Sequence, residues 1–172
     1  KTKGGFYKKE DGKPFVLDYK TLTYQPTTRP MFDSVKSTKG VAEPAERLRN
    51  LFNGEDRARD IAWEVTAATL IYTAKRIGEI ADDVVNIDNA MKWGFNWSMG
   101  PFETWDAIGV ASSIEKMEAE GRTVPAIVKR VLTEGEGTFY KREGVTRLYF
   151  DFQTGRYEPI AHPKTLILLP DL

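Results

Sequence analysis

The sequence of 172 residues contains no cysteine and a single histidine, His162. These absences exclude disulfides, thiol nucleophiles, thiolate metal sites and any metal site built on two histidines. Basic and acidic residues both number 25, so no excess of positive charge is available to neutralise nucleic-acid phosphates. No apolar run reaches the roughly 18 residues of a membrane span, and the basic start at residues 1–3 lacks the apolar stretch of a signal peptide. Composition therefore predicts a soluble, globular, cytoplasmic chain with few side chains suited to catalysis.

The few candidate chemical groups are isolated. His162 lies among prolines outside any periodic segment, so we interpret it as an exposed linker histidine and not as a general base. Glu79, Asp82 and Asp83 follow the end of a long predicted helix, which favours a solvated loop over a metal site. No phosphate loop or GxGxxG motif occurs. The sequence thus predicts no catalytic, cofactor-binding or metal-binding residue and leaves any substrate-binding residues open.

A segment near the start of the chain recurs near its end. Phe139 follows Phe6 by 133 positions, Pro159 follows Pro26 by the same number, and nine residues are identical at this offset within positions 4–26. Average composition predicts identity at only roughly 1 position in 15. If each copy forms the end of a module, the first copy is the tail of a module that begins before this sequence. We then expect the chain to be an excised piece of a longer protein. A single domain with two similar hairpins is the alternative.

The repeat divides the chain into four parts. We expect residues 1–26 to be the tail of a preceding module and residues 27–55 to be a linker with a connector helix. Residues 56–160 would form a complete module, and residues 161–172 a linker to a downstream domain. The apolar side chains of the first copy then lack their native partner, which favours self-association over folding back. They are Phe6, Phe15, Leu17, Tyr19 and Leu22.

Hydrophobic periodicity predicts a mainly α-helical module with small strands in each repeat copy. Helices are predicted from about 42 to 52, with Pro44 in the first turn, and over 56–77, 85–94, 102–108, 111–120 and 124–132. For the helix over 85–94, Asn86 or its neighbour is the predicted N-cap and Gly94 the predicted end, and Asp11-Gly12 is predicted to be a turn. In the longest helix, a stripe at i+3/i+4 spacing predicts the buried face, and further apolar residues suggest cover on more than one side. The stripe is Ala58, Ile61, Val65, Ala68 and Tyr72. We expect one core cluster of Trp63, Trp93, Phe102, Trp105 and Ile108.

The stretch from Gly94 to Gly109 is the most distinctive part of the chain. Gly100 before Pro101 predicts a tight turn that leads into a helix N-terminus, whose free N–H groups can receive an anion or a carbonyl. The alternative, which the chemistry favours, is that the glycines allow close helix packing while the aromatic residues fill the core.

Three motifs here resemble the C-terminal domain of 3-hydroxyacyl-CoA dehydrogenases. That family carries Asp-Ile-Asp-x-Ala-Met, then Gly-x-x-x-Pro-Met-Gly-Pro-Phe, then Asp-x-x-Gly, and the matching ranges here are 85–91, 94–103 and 105–109. Gly5-Phe6-Tyr7 and, approximately, Thr138-Phe139-Tyr140 match the segment in which these domains often end. The resemblance covers about 42–160 and 3–26. Two positions depart from the pattern: Ser98 replaces a usual proline, and Trp63-Glu64 stand where a substrate-facing module has Asn-Arg.

The resemblance implies a fold like the C-terminal domain of 6-phosphogluconate dehydrogenase, with small β-hairpins. It implies a parent enzyme that oxidises (S)-3-hydroxyacyl-CoA to 3-oxoacyl-CoA with NAD in fatty-acid β-oxidation. The catalytic His–Glu dyad and the NAD site belong to an N-terminal domain that this sequence does not include, so we expect the fragment alone to be inactive.

Within such a parent, this chain would be the second, non-catalytic module of a tandem pair. It would support the acyl-CoA cleft or a dimer interface. Its partners would be the dinucleotide-binding domain, the first module, a downstream enoyl-CoA hydratase domain and a second copy. A stand-alone helical protein-interaction module without an enzymatic parent is the alternative, and a catalytic domain of another type is disfavoured by the lack of cysteine and the single histidine.

Overall fold

The structure is a computed structural model that describes residues 5–161. The chain divides into two compact units, one ending at Met31 and the other beginning at Phe32, and each is described by itself. Between residues 5 and 161, no helix combines the length and the apolar composition that crossing a membrane requires.

The first unit is a three-stranded antiparallel sheet in the order β1-β2-β3. Its strands are β1 (Tyr7–Glu10), β2 (Lys13–Leu17) and β3 (Tyr24–Pro26). Asp11 and Gly12 join β1 to β2 with φ angles of 49° and 76°, the paired left-handed conformation of a type I′ hairpin turn. The predicted strands and the Asp11-Gly12 turn are therefore confirmed.

In residues 32–161, the second unit contains seven helices followed by a second antiparallel sheet in the order β4-β5-β6. The helices are α1 (Asp33–Lys36), α2 (Pro44–Phe52), α3 (Arg57–Ala74), α4 (Val84–Phe95), α5 (Pro101–Ile108), α6 (Val110–Ala119) and α7 (Ala126–Thr133). The strands are β4 (Tyr140–Glu143), β5 (Thr146–Asp151) and β6 (Arg156–Pro159). A mainly helical chain with two small sheets is confirmed.

Side-chain caps determine where the helices begin, and they correct one predicted boundary. Asp56 accepts the backbone N–H groups of the first turn of α3, as the predicted start at this residue required. Asp83, and not Asn86, caps α4: its carboxylate accepts the Asn86 N–H at 2.7 Å. Gly94 does not end that helix either, because the left-handed residue at its C-terminus is Asn96, with φ of 55°.

The predicted buried face of α3 is wrong. Ile61, Val65 and Tyr72 are exposed, and the helix is covered on one side only. The buried residues of α3 are Trp63, Ala67, Leu70, Thr73 and Ala74. The packed face combines Trp63 and Leu70 with the smaller Ala67, Thr73 and Ala74, and α3 lies against α1, α2 and α5.

The core of the second unit is aromatic and is centred on α5 and β4. The Phe102 and Phe139 rings lie 4.9 Å apart in an edge-to-face arrangement, and Trp105 lies 5.5 Å from Phe139. Trp63, Phe102 and Trp105 are buried and Ile108 packs against them, as predicted. Trp93 is not part of this core, since 80% of its surface is exposed. It lies five residues beyond Asp88, which places it on the opposite face of α4.

The sequence repeat is also a structural repeat. Tyr7 pairs with Val16 in the first sheet, and Tyr140 pairs with Tyr149, 133 positions later in both cases. The Tyr24 hydroxyl donates to the Gly5 carbonyl, and the hydroxyl of its equivalent, Tyr157, donates to the Thr138 carbonyl. The two copies therefore share a hydrogen-bond framework as well as identical residues.

The two copies differ in the cover over their apolar faces. In the second copy the apolar residues are buried: Phe139, Leu148, Phe150 and Phe152. In the first copy, Phe6 and Tyr19, the equivalents of Phe139 and Phe152, are exposed. Leu22 is also exposed, whereas Phe15 and Leu17 are half-buried.

Two tryptophans offer a direct test of this core. Trp105→Ala should lower the free energy of unfolding by about 3–5 kcal/mol, because it removes a fully buried ring. Trp93→Ala should change it by less than about 0.5 kcal/mol, because that ring is exposed. Urea denaturation of both variants measures the difference. Equal losses in the two variants would contradict this description of the core.

Candidate functional site

The distinctive stretch folds as the end of α4, a loop and α5, and one buried carboxylate holds these parts together. Asp88 on α4 accepts the backbone N–H of Phe102 at 2.8 Å and that of Glu103 at 3.0 Å. Its Oδ2 also accepts the Tyr140 hydroxyl at 2.9 Å. The N-terminus of α5 therefore already holds an anion from within the chain, and a ligand there would have to displace Asp88.

Gly100 is required by this arrangement. A Cβ atom at position 100 would lie 2.3 Å from both Cβ and Cγ of Asp88, a distance at which atoms overlap. The Gly100 N–H donates to the Glu103 carboxylate at 2.8 Å, which completes the turn before Pro101. The favoured interpretation of the glycines, close helix packing, is thus supported at Gly100.

A second carboxylate attaches the sheet to α5. Asp106 accepts the N–H of Phe139 at 2.7 Å and that of Tyr140 at 2.9 Å. Glu103, one turn earlier, binds Lys92 at 2.9 Å and Arg147 at 2.7 Å through its Oε1. These contacts join α4, α5, β4 and β5 through three acidic side chains.

Burial changes how these groups titrate. It raises the pKa of Asp88 to about 6, because hydrogen bonds offset only part of the lost hydration. Burial also raises the pKa of Asp106 to about 7, although the two N–H bonds that Asp106 accepts act to lower it. The negative charge of Asp88 raises the pKa of Asp106 further. Burial also raises the pKa of Tyr140, so its hydroxyl remains a donor. For Glu103, burial opposes ionisation, but the bonds from Lys92, Gly100 and Arg147 outweigh it and lower the pKa.

These acidic groups are engaged with the chain itself. Asp88 and Asp106 each accept two backbone N–H groups, so their oxygens are occupied by structural contacts. Such an arrangement can fix helix positions and a sheet edge, but it presents no free base to a substrate. Nor does the described part of the chain bring three or more histidine or acidic side chains together as metal ligands.

An open apolar groove of about 440 Å³ lies on the second unit. Val35, Leu48, Leu51, Trp97 and Met99 supply its apolar walls. Its polar residues are Thr38, Arg47, Ser98 and Thr104. Ser98, at the position where the family usually has proline, thus lies at the surface of this groove.

The other candidates from the sequence have structural roles. The Trp63 indole N–H donates to Glu120 at 2.7 Å, and Glu64 forms an ion pair with Arg122. Glu79 pairs with Arg76 at 2.7 Å, while Asp83 caps α4 as described above. His162 lies outside the described residues.

The sequence analysis did not identify Asp88, Asp106 or Tyr140 as individually important. A usable signal existed for Asp88, which follows Val84 by one helical turn and so shares the buried face of α4. A carboxylate at a buried position, twelve residues before Gly100 in a Gly-Pro helix start, indicates a cap supplied from another helix. No local pattern connects Tyr140 with a residue 52 positions earlier.

Comparison with known proteins shows which family this geometry resembles. Residues 65–148 match the sequence model of the 3-hydroxyacyl-CoA dehydrogenase C-terminal domain. Through this segment, just under half of its length, the chain is similar to that domain. The matched range contains Asp88, Gly100, Asp106 and Tyr140, so the buried contacts described above lie inside the segment that matches.

Two curated relatives extend this result. A Bacillus subtilis protein named "Probable 3-hydroxyacyl-CoA dehydrogenase" is 43% identical over 171 residues, which is 98% of this chain and 21% of that protein. A Rickettsia felis protein, named as a fatty acid oxidation complex trifunctional enzyme, is 28% identical over 107 residues. That match covers 60% of this chain and 13% of the relative. No solved structure matches the chain. The chain therefore spans about a fifth or less of these dehydrogenase relatives.

A matched pair of glycine variants tests the role of Gly100. Gly100→Ala should lower the free energy of unfolding by roughly 2 kcal/mol or more, because the methyl group displaces the Asp88 carboxylate and leaves buried groups unpaired. Gly94→Ala meets no atom within 4 Å in α4 and should stabilise the helix, by up to about 1 kcal/mol. Thermal and urea unfolding of both proteins measure these values. A Gly100→Ala protein as stable as the parent would exclude the close contact.

The raised pKa values predict a pH dependence of stability. Folding raises the pKa of Asp88 and of Asp106 above 3.8, the usual value of an aspartate side chain, so their favourable contribution to stability is complete below about pH 4. That contribution is lost as pH rises through about 6 and 7. With Asp106→Asn, the free energy of unfolding should therefore fall less steeply between about pH 4 and pH 7, by up to about 1 kcal/mol per pH unit. Urea unfolding of parent and variant across the range gives both slopes, and parallel curves would refute the shift.

Proposed function

We propose that this chain is a non-catalytic C-terminal module of an NAD-dependent enzyme that oxidises (S)-3-hydroxyacyl-CoA to 3-oxoacyl-CoA in fatty-acid β-oxidation. The observation that carries the proposal is the use of Asp88 and Asp106 as ligands of backbone N–H groups, within a segment that matches the dehydrogenase C-terminal domain. Neither carboxylate is free to move a proton at a substrate. The module supports the enzyme by maintaining the shape of the acyl-CoA cleft or of an interface.

The departures from the family pattern support a non-catalytic role. Trp63 and Glu64 stand where a substrate-facing module has Asn-Arg, and both are engaged with the loop after α6, through Glu120 and Arg122. The R. felis relative is named for fatty acid oxidation, which agrees with β-oxidation as the process. The module is of the 6-phosphogluconate dehydrogenase C-terminal type, with residues 56–160 as its extent.

The repeat supports a tandem arrangement of two modules. Within residues 1–26, the described residues from Gly5 onward have the same strand order, register and tyrosine hydrogen bond as the end of the second module. We therefore take them as the end of a first module, residues 27–55 as the connector, and residues 161–172 as a linker to an enoyl-CoA hydratase domain. The word "trifunctional" in the name of one relative agrees with such a fusion.

The described residues do not fit the NAD cofactor. Dinucleotide sites use a parallel sheet and a glycine-rich strand-to-helix turn. Both sheets of the described part are antiparallel. NAD binding and hydride transfer therefore belong to another domain of a cytoplasmic parent enzyme, and we assign no chemical step to residues of this chain.

A second candidate function is protein interaction. The observation that favours it is the open apolar groove beside exposed aromatic residues. Interaction is compatible with an enzymatic parent, and the 43% identity to a named dehydrogenase favours such a parent over a stand-alone module.

Glu64→Gln in the full-length protein tests the non-catalytic assignment. Both kcat and KM for 3-hydroxyacyl-CoA, followed by NAD reduction, should remain within about twofold of the parent, because Glu64 serves only a surface ion pair. Glu79→Gln, which removes another exposed ion pair, is the matched control. A loss of about tenfold or more in kcat for Glu64→Gln alone would place Glu64 in the cleft. Calorimetric titration of the isolated chain with NADH should show no binding.

A further inference from the structure

The apolar groove on the second unit is open to solvent. Trp97 in its wall is 43% exposed, and Val35 is 44% exposed. The groove volume of about 440 Å³ lies in the range of sites that enclose a ligand. Because apolar surface gains free energy when it leaves water, a groove of this kind favours an occupant with apolar side chains.

The groove also carries one positive charge and no negative charge. Arg47 on α2 is the charged residue of its lining, and no acidic residue lines it. Among residues 5–161, no group accepts a hydrogen bond from the Arg47 guanidinium, whereas Arg49 on the same helix pairs with Glu43 and donates to the Ala107 carbonyl. Since a guanidinium bonds most strongly to a carboxylate, the groove suits an apolar segment that also carries an acidic residue.

The segment that follows the second sheet has this composition. After Ala161 the sequence continues His-Pro-Lys-Thr-Leu-Ile-Leu-Leu-Pro-Asp-Leu. Residues 166–169 are the longest uninterrupted run of aliphatic residues in the sequence, and Asp171 is the acidic residue beside them. We call residues 162–172, which lie outside the described residues, the distal segment.

A continuous path of contacts leads from the end of β6 to the groove. The Ile160 N–H donates to the Arg147 carbonyl at 3.0 Å, and the Arg147 guanidinium binds Glu103 Oε1 at 2.7 Å. Glu103 Oε2 accepts the Gly100 N–H at 2.8 Å, and Met99, the residue before Gly100, lies in the groove wall. With ordinary bond lengths between these contacts, the backbone of Ile160 lies within roughly 23 Å of that of Met99.

The distal segment is long enough to cover this distance. Leu166 and Leu169 are six and nine positions beyond Ile160. A chain spans at most about 3.3–3.6 Å per residue, so these two positions can lie up to roughly 20 and 32 Å from Ile160. The aliphatic run can therefore reach the groove without any movement of the second sheet or of α5.

We propose that the distal segment binds in the groove of its own chain. The aliphatic run, residues 166–169, contacts the apolar walls, and the Asp171 carboxylate pairs with Arg47. Any other occupant has to compete with a segment that is covalently attached and so present at high effective concentration. This role goes beyond that of a linker, because it fixes where a following domain leaves the module, and it does not depend on the enzymatic parent.

The lack of cysteine allows a direct accessibility test in the 172-residue chain. Ser98→Cys places one thiol in the groove lining at an exposed residue, and Tyr72→Cys places one on the exposed face of α3, outside the groove. The rate of reaction with N-ethylmaleimide reports whether each thiol is covered. Deletion of residues 162–172 should raise the rate at position 98 at least about tenfold and leave the rate at position 72 unchanged.

Further variants separate the apolar contact from the ion pair. Ile167→Ser with Leu168→Ser keeps the length of the chain and should give the same fast labelling at position 98 as the deletion. Arg47→Glu and Asp171→Arg should each raise the labelling rate about threefold, and the double exchange should restore the parent rate. Cooperative thermal unfolding of every variant verifies that the core remains folded.

Other outcomes overturn the proposal. Fast labelling at position 98 that the deletion does not change leaves the groove uncovered. Slow labelling that survives the deletion assigns the cover to another part of the chain. Slow labelling that appears only as the protein concentration rises assigns the cover to a second copy. Charge variants that label at the parent rate exclude the pair between Asp171 and Arg47.

Discussion

The second unit depends on the carboxylate of Asp88. It is fully buried, and it connects α4 to the first turn of α5 and to Tyr140 at the start of β4. Helix α5 lies against α2, α3, α4 and α6, so the position of most of the helical core follows from where α5 begins. Burying a carboxylate costs free energy unless donors surround it, and three donors here offset part of that cost. The same contact requires glycine at position 100, because any side chain there would overlap Asp88.

This arrangement explains how a distinctive sequence motif can hold helices together without binding a ligand. The glycine, the proline and the acidic residues of the stretch could equally describe a ligand-binding turn. In the structure, the anion at the α5 N-terminus is supplied by α4 and the acidic residues hold backbone groups. Resemblance to a family motif therefore points to shared structure, and the residues that contact substrate have to be established position by position.

Much of the fold was accessible from the sequence because its signals are local. Asp56 before an apolar helix, Pro44 and Pro101 in first turns, and the Asp11-Gly12 turn each act within a few residues, and each prediction was confirmed. The repeat was accessible because a constant offset of 133 residues needs no knowledge of packing. The family resemblance was accessible for the same reason and is confirmed over residues 65–148.

The errors share one cause, which is that burial is decided by distant residues. Ile61, Val65 and Tyr72 have the spacing of a core stripe, yet the packed face of α3 carries Ala67 and Ala74. Trp93 has a large apolar side chain of the kind found in cores, but it lies on the face of α4 opposite the buried Asp88. The end of α4 was misplaced because Asn96 adopts the left-handed conformation that the sequence analysis assigned to Gly94. The partners of Asp106 and Tyr140 could not be found from periodicity, since they are non-local.

The bonds from Asp106 to the sheet have a consequence for the order of events during synthesis. Asp106 and its two donors, the backbone N–H groups of Phe139 and Tyr140, are 33 and 34 positions apart in the chain. A ribosome completes the described helices before it adds β4, so the carboxylate of Asp106 emerges before the two backbone N–H groups that it will accept. The backbone donors of Asp88, by contrast, lie on α5 and are made earlier. Attachment of the second sheet to α5 is therefore one of the last contacts that this unit can form during synthesis.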